Sequence, residues 1–189
     1  MASRYPDRGG SSESRASKEP PLSPEEQARA LCLRLLTGNP RTRQQLADAM
    51  RKREIPDDVA EQLLERFQEA GLIDDQAFAN AWVESRHRGR GLARRALARE
   101  LQTRGVDAEL VTEAVGQLDS DQEEERAREL VDRKLRTTRG LERDKRLRRL
   151  AGMLARKGYP EGLALRVVRR ALEQEGEDEP DVLEYHPLG

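Results

Sequence analysis

The chain has 189 residues, 38% of them charged and 35% apolar, with one Trp, three Tyr and two Phe. That composition leaves too little material for one large spherical core and points to an elongated array of small units. The formal net charge of −1 hides an uneven distribution: residues 23–170 hold 31 basic and 26 acidic side chains, whereas 173–189 hold seven carboxylates and no Lys or Arg.

Residues 1–22, rich in Ser, Arg, Gly, Pro and Glu, lack periodicity and are expected to be a disordered tail. Ser23-Pro24-Glu25-Glu26 then reads as a capping box with proline in the first turn, followed by Ala28, Leu31, Cys32, Leu35 and Leu36 at helical spacing. A second helix is expected from about Thr42 to Arg53, and a third from Pro56-Asp57-Asp58 through Val59, Leu63, Leu64 and Phe67 to Gly71. Together they make a unit over 23–73.

Asp74 is placed to cap the next helix, anchored by Phe78, Trp82 and Val83; Leu97 and Leu101 mark the following one, and Asp107 caps a third. This is a second unit, 74–119. Ser120 with Glu123 repeats the capping-box spacing ahead of Ala127, Leu130 and Val131, and Pro160 opens the last helix of a third unit, 120–173. Residues 174–189 form an acidic tail, also expected to be disordered.

The units are copies of one another. Leu46, Met50, Ile55, Val59, Leu63, Leu64 and Phe67 recur 51 residues later as Leu97, Leu101, Val106, Leu110, Ala114, Val115 and Leu118. A further shift of 53 gives Leu150, Leu154, Tyr159, Leu163, Val167, Val168 and Ala171. Such self-similarity marks stacked units, each too small to bury its own apolar face alone. Gly105 and Gly158 follow the middle helix of copies two and three, where a left-handed residue ends a helix. Copy one has Glu54 there, which predicts a different turn. No stretch alternates as a strand does, so the fold class is all-α: three tandem three-helix repeats.

Candidate chemistry is sparse. One cysteine and two histidines, His87 and His186, cannot assemble a disulfide or a Cys/His metal cluster. Phosphate-loop, nucleophile-elbow and paired-histidine motifs are missing from the sequence, so no catalytic residue, metal or cofactor is assigned. No apolar run approaches the roughly 20 residues of a membrane span, and the N-terminal stretch lacks a secretory signal, so a cytoplasmic location is expected. Asp74-Asp75 reads as helix capping rather than as a cation site. Cys32 fits an apolar helix face, His87 reads as a solvated surface histidine, and Trp82 reads as a buried anchor worth about 3–5 kcal/mol.

Basic clusters are the positive signal. Arg86, Arg88, Arg90, Arg94, Arg95, Arg99 and Arg104 are opposed within 86–104 only by Glu100. Arg133, Lys134, Arg136, Arg139, Arg143, Lys145, Arg146, Arg148 and Arg149 face only Glu142 and Asp144 within 133–149. Two neighbouring basic faces suit a polyanion or an acidic protein surface. With few aromatics for base stacking, contacts to nucleic acid would fall on phosphates and be salt-sensitive.

Gly71-Leu72-Ile73-Asp74-Asp75, Phe78-Ala79, Trp82-Val83, Arg86, the Gly89 to Gly91 turn, Leu97, Leu101 and Gly105-Val106 closely resemble the RecX family, over about Pro24 to Glu173. That resemblance implies tandem three-helix repeats in a curved array. It also implies a negative modulator, not an enzyme, that binds the filament of RecA on DNA and suppresses its ATPase, coprotease and strand-exchange activities in recombination and the SOS response. The implied partners are the RecA filament and DNA phosphates, with no membrane and no small-molecule substrate. Two other readings stay open: a helix-turn-helix DNA-binding regulator built on 41–73, against which the acidic face Asp57, Asp58, Glu61, Glu65 and Glu69 argues, and a scaffold for some other protein.

Overall fold

A computed structural model describes residues 21–178. Among these residues there are nine α-helices, one short 3-10 turn and no strand. The first three helices are α1 (Pro24–Gly38), α2 (Arg43–Arg51) and α3 (Asp57–Glu69). The next three are α4 (Asp75–Arg90), α5 (Arg94–Thr103) and α6 (Ala108–Gly116). The last three are α7 (Ser120–Leu135), α8 (Arg143–Arg156) and α9 (Glu161–Asp178), with the 3-10 turn Arg136–Thr138 between α7 and α8.

The helices group by threes, because the extensive packing is α1, α2 and α3 among themselves, then α4 to α6, then α7 to α9. Each group owns a separate apolar core: one around Cys32, Leu46, Met50, Leu64 and Phe67, one around Val83, Leu97, Leu101 and Val111, and one around Val131, Leu150, Leu154, Tyr159 and Val168. Ala93, at the start of the second repeat's middle helix, packs into the third core. The repeats therefore share material at their boundary, as stacked units must. In the first core Cys32 is fully buried and its thiol pKa is pushed up to about 11 by burial. A thiol reagent at pH 8 should modify it only through opening of the first repeat, so labelling should accelerate many-fold in denaturant. Fast labelling in buffer would contradict that core assignment.

Local rules account for most helix starts. The Ser23/Glu26 capping box is formed, Asp74 accepts from the Ala77 N–H at 2.8 Å, and Asp107 accepts from the Glu109 N–H at 2.8 Å. Thr42, expected inside α2, is instead its cap, in a box with Gln45. The box expected at Ser120 and Glu123 lies one residue earlier: Asp119 caps α7 and Gln122 reaches back. That shift frees the Glu123 carboxylate for another helix. Glu54 is left-handed, with φ 58°, like Gly105 at 75° and Gly158 at 90°. The different turn expected there does not form; the same turn is made with a residue less suited to it.

The glycines are required for a further reason. A Cβ at Gly105 would lie 2.3 Å from the Gln44 side chain, and one at Gly158 would lie 2.5 Å from the Ala96 backbone nitrogen. Each turn is pressed against the middle helix of the preceding repeat, whereas Glu54, in the first repeat, is exposed. Helix α9 continues to Asp178, past the boundary expected at 173. Residues 1–20 and 179–189, which make up most of the two expected tails, lie outside the described residues.

Candidate interaction surface

The repeats are joined by polar contacts that recur at equivalent positions. Thr42 Oγ1 donates to the Arg104 carbonyl at 2.6 Å, and one repeat on the Ala93 N–H donates to the Lys157 carbonyl at 2.9 Å. The N–H of Arg43, first residue of α2, donates to Asp75 Oδ1 at 2.9 Å; that of Arg94, first residue of α5, donates to Glu123 Oε1 at 2.9 Å. A carboxylate from the next repeat thus caps each of these two middle helices, where the helix dipole favours negative charge. Asp74 and Asp75 consequently have different jobs: one caps its own helix and the other caps its neighbour's.

Burial raises the Asp75 pKa above its ordinary value, with the Arg43 N–H and charge opposing the shift. The folded chain therefore holds that proton more readily than the unfolded chain, and the stability contributed by Asp75 increases as pH falls through its raised pKa. Asp75→Asn, which keeps a carbonyl to accept from Arg43, should be close to neutral in melting temperature at pH 7 and should remove this contribution from the acid limb of the stability curve. A large loss at pH 7 would show that the carboxylate charge is essential.

The first predicted basic face divides into four. Arg94 points inward, its Nε 3.1 Å from Glu123 Oε2, and belongs to the joint between the second and third repeats. Arg86, Arg90 and Arg104 gather around Trp82 and Glu100. Glu100 Oε2 accepts from Trp82 Nε1 at 2.8 Å, the guanidiniums of Arg86 and Arg104 lie 4.2 and 3.8 Å from the indole centroid, and Arg90 is 3.7 Å from Glu100 Oε1. Arg88 pairs with Glu84 at 3.0 Å. Only Arg95 and Arg99 are exposed with no ion-pair partner among the described residues.

In the second face, Arg139 and Arg146 converge on Glu175 of α9, and hydrogen bonds from both guanidiniums hold that carboxyl below the ordinary range. Arg143 reaches Glu173 at 3.6 Å, and Lys145 reaches Glu142 at 3.2 Å. Arg133, Lys134, Arg136, Arg148 and Arg149 are exposed and have no ion-pair partner among the described residues. Arg95 and Arg148 occupy equivalent positions of α5 and α8, 53 residues apart.

Lys157, outside both predicted clusters, links the two faces. Its ammonium donates to the Arg90 carbonyl at 2.6 Å, and its pKa is lowered first by burial and then by the charges of Arg126, Arg133 and Arg90. Arg126, also outside them, donates to the Arg88 carbonyl. The signal for Lys157 is positional, since it stands where the repeat register puts Arg104, just before the turn glycine. His87 is buried at 8% exposure, with Nδ1 2.9 Å from the Leu92 carbonyl, so it is not the solvated histidine expected.

Trp82 is half-buried rather than a core anchor. It stacks on Phe78 with ring centroids 5.6 Å apart, and the faces of its ring are covered by Phe78, Arg86 and Arg104. Trp82→Ala should therefore destabilise by about 1–2 kcal/mol, less than the roughly 3–5 kcal/mol expected of a fully buried ring. A melting shift in the larger range would show that the indole anchors the core after all. On α3, Asp57, Asp58, Glu61, Glu65 and Glu69 are all exposed, a face ill-suited to a DNA groove.

Among the described residues no cluster of three or more His, Cys, Asp or Glu could hold a metal ion, and no helix is long and apolar enough to cross a membrane. Three family models match in succession: the first three-helix domain of RecX over 28–67, the second over 74–115 and the third over 121–168. A relative named Regulatory protein RecX from Streptomyces lividans is 75% identical over 173 residues, covering 91% of this chain and 92% of its own. One from Thermobifida fusca is 62% identical over 149 residues, covering 79% of this chain and 80% of its own. The crystal structure of RecX from Lactobacillus salivarius superposes with a TM-score of 0.72 at 16% identity, over 78% of this chain and 96% of that one, and so shares its fold. Three matched repeats in the family's order, and relatives this similar along most of their length, show that the chain belongs to the RecX family of regulatory proteins.

Proposed function

We propose that the protein is a non-enzymatic negative modulator of RecA, binding the RecA filament on DNA and suppressing ATP hydrolysis, coprotease activity and strand exchange. The observation that carries this reading is the set of exposed cations without ion-pair partners among the described residues, Arg95 and Arg99 on α5 and Arg133, Lys134, Arg136, Arg148 and Arg149 in the third repeat. They sit on repeats locked together by recurrent hydrogen bonds, so a polyanion meets charges already held in register. Spanning adjacent subunits, such an array biases a filament through differential affinity for its states.

RecA ATP hydrolysis on single-stranded DNA, measured while the protein is titrated below one copy per RecA, tests the reading. Strong inhibition at that ratio is expected, and none even in excess would refute it. Arg95→Glu with Arg99→Glu should weaken inhibition with little effect on folding, and should lower the salt slope of binding to single-stranded DNA by about 0.7 for each phosphate no longer neutralised. Arg94 is left out of the variant because it holds the joint between repeats.

A further inference from the structure

Two open grooves lie between neighbouring repeats, and their chemistry is opposite. The groove between repeats two and three encloses about 840 Å³ and is lined by Glu84, Asp119, Asp121, Glu125 and Glu129 against Arg88 and Arg126. The groove between repeats one and two encloses about 650 Å³ and is lined by Arg41, Arg86 and Arg104 and by one carboxylate, Asp74, with Glu100 outside the lining but 3.9 Å from Arg86. The Asp74 carboxylate is engaged as the cap of α4, accepting from the Ala77 N–H. Arg41 Nε is shielded from solvent and has no hydrogen-bond partner among the described residues.

The floor of this second groove is apolar. On α4, Phe78, Trp82 and Arg86 form a ridge at four-residue spacing, and beside it Ala77, Ala81 and Ser85 form a row of small side chains. Leu36 and Leu72 close the opposite wall, with Leu72 49% exposed. A half-exposed leucine beside a trough of alanines offers a seat for an aliphatic or aromatic side chain, and three guanidiniums around it offer seats for carboxylates. A nucleobase fits less well, because the faces of the Trp82 ring are already covered.

We infer that the groove between repeats one and two docks an acidic segment of the regulated protein partner, anchored by one apolar side chain between Leu72 and the Phe78–Trp82 ridge. This rests on the reading of the protein as a RecA modulator and divides its surface in two. The groove holds protein, while Arg95, Arg99 and the third-repeat cations meet phosphate. Arg86 and Arg104 are held in place by Trp82 and Glu100, so few side chains must be ordered on binding.

The test measures affinity for RecA without DNA and, separately, for oligothymidylate, using the full chain and variants whose melting curves show them folded. Leu72→Asp and Arg41→Glu should each weaken RecA binding about tenfold or more and leave oligothymidylate affinity within about twofold. Arg95→Glu with Arg99→Glu should do the reverse. Groove variants that bind RecA as the parent chain does would overturn the inference, as would a parallel loss of oligothymidylate binding, which would make the groove a nucleic-acid site. If the parent chain itself fails to bind RecA, the functional reading falls with the inference, and the unsubstituted arm of the experiment identifies that case.

Discussion

Replacing Gly158 by alanine should lower stability by about 3 kcal/mol, from roughly 1–2 kcal/mol for a left-handed alanine and about 1–3 kcal/mol for overlap in a packed joint. The added methyl would sit 2.5 Å from the Ala96 nitrogen and 2.7 Å from the Ala96 Cβ. A helix backbone cannot yield as a flexible side-chain tip can, so the third repeat must shift away from the second. For a chain of this size the melting temperature should drop by about 6–12 °C. Two controls isolate the cause. Glu54→Gly, at the same turn of the first repeat, should change stability by no more than about 1 kcal/mol, since relief of the left-handed backbone offsets the added chain entropy. Gly162→Ala, in α9 with nothing within 4 Å of the new Cβ, should be neutral or slightly stabilising. Equal losses at Gly158 and Gly162 would remove the close approach of repeats as the explanation.

Glu123→Leu should destabilise by about 2–4 kcal/mol, because it removes a hydrogen-bond acceptor and an ion-pair partner at once. The side chain is 9% exposed, accepts the first N–H of α5 and faces the Arg94 guanidinium. Its removal leaves a helix N-terminus and a partly buried cation without their anion. The Arg94 side chain is 36% exposed, and water can take up part of that loss, which keeps the figure below that of a fully buried pair. Glu123→Gln retains an acceptor for the N–H and should lose about half as much. Chemical denaturation of both variants at pH 7 measures the difference. If Gln proves as damaging as Leu, charge rather than the cap holds this joint; if neither matters, the third repeat is fixed by its apolar contacts.

Much of the fold is legible in the sequence because its signals are local. A residue's helical face depends on neighbours three and four positions away, and Ser23, Asp74 and Asp107 cap helices that begin beside them. Register between copies at shifts of 51 and 53 also lies in the sequence, and it places the repeated cores. Capping is ambiguous where two adjacent positions both offer acceptors. Asp119 and Ser120 each suit a cap, and the choice of Asp119 leaves Glu123 pointing to the preceding repeat.

The interaction surface is less legible, since a cluster of arginines looks the same in sequence whether its carboxylates are near or far. Arg139 and Arg146 meet Glu175, which lies in a different helix of the repeat, and Arg94 meets Glu123 of the next repeat. Trp82 reads as a core anchor by its spacing, yet it lies at the edge of a groove whose other wall comes from the first repeat. His87 reads as a surface residue by its arginine neighbours, yet its ring turns inward to the Leu92 carbonyl.

Three helical units, their order, most of their caps and their apolar cores follow from the amino-acid order alone, because each is encoded within a few turns of helix. Which cations are neutralised, which stay open to a partner and why two turns must be glycine follow instead from three-dimensional packing. Those outcomes depend on how one repeat is seated against the next, a distance set by contacts between residues far apart in the chain.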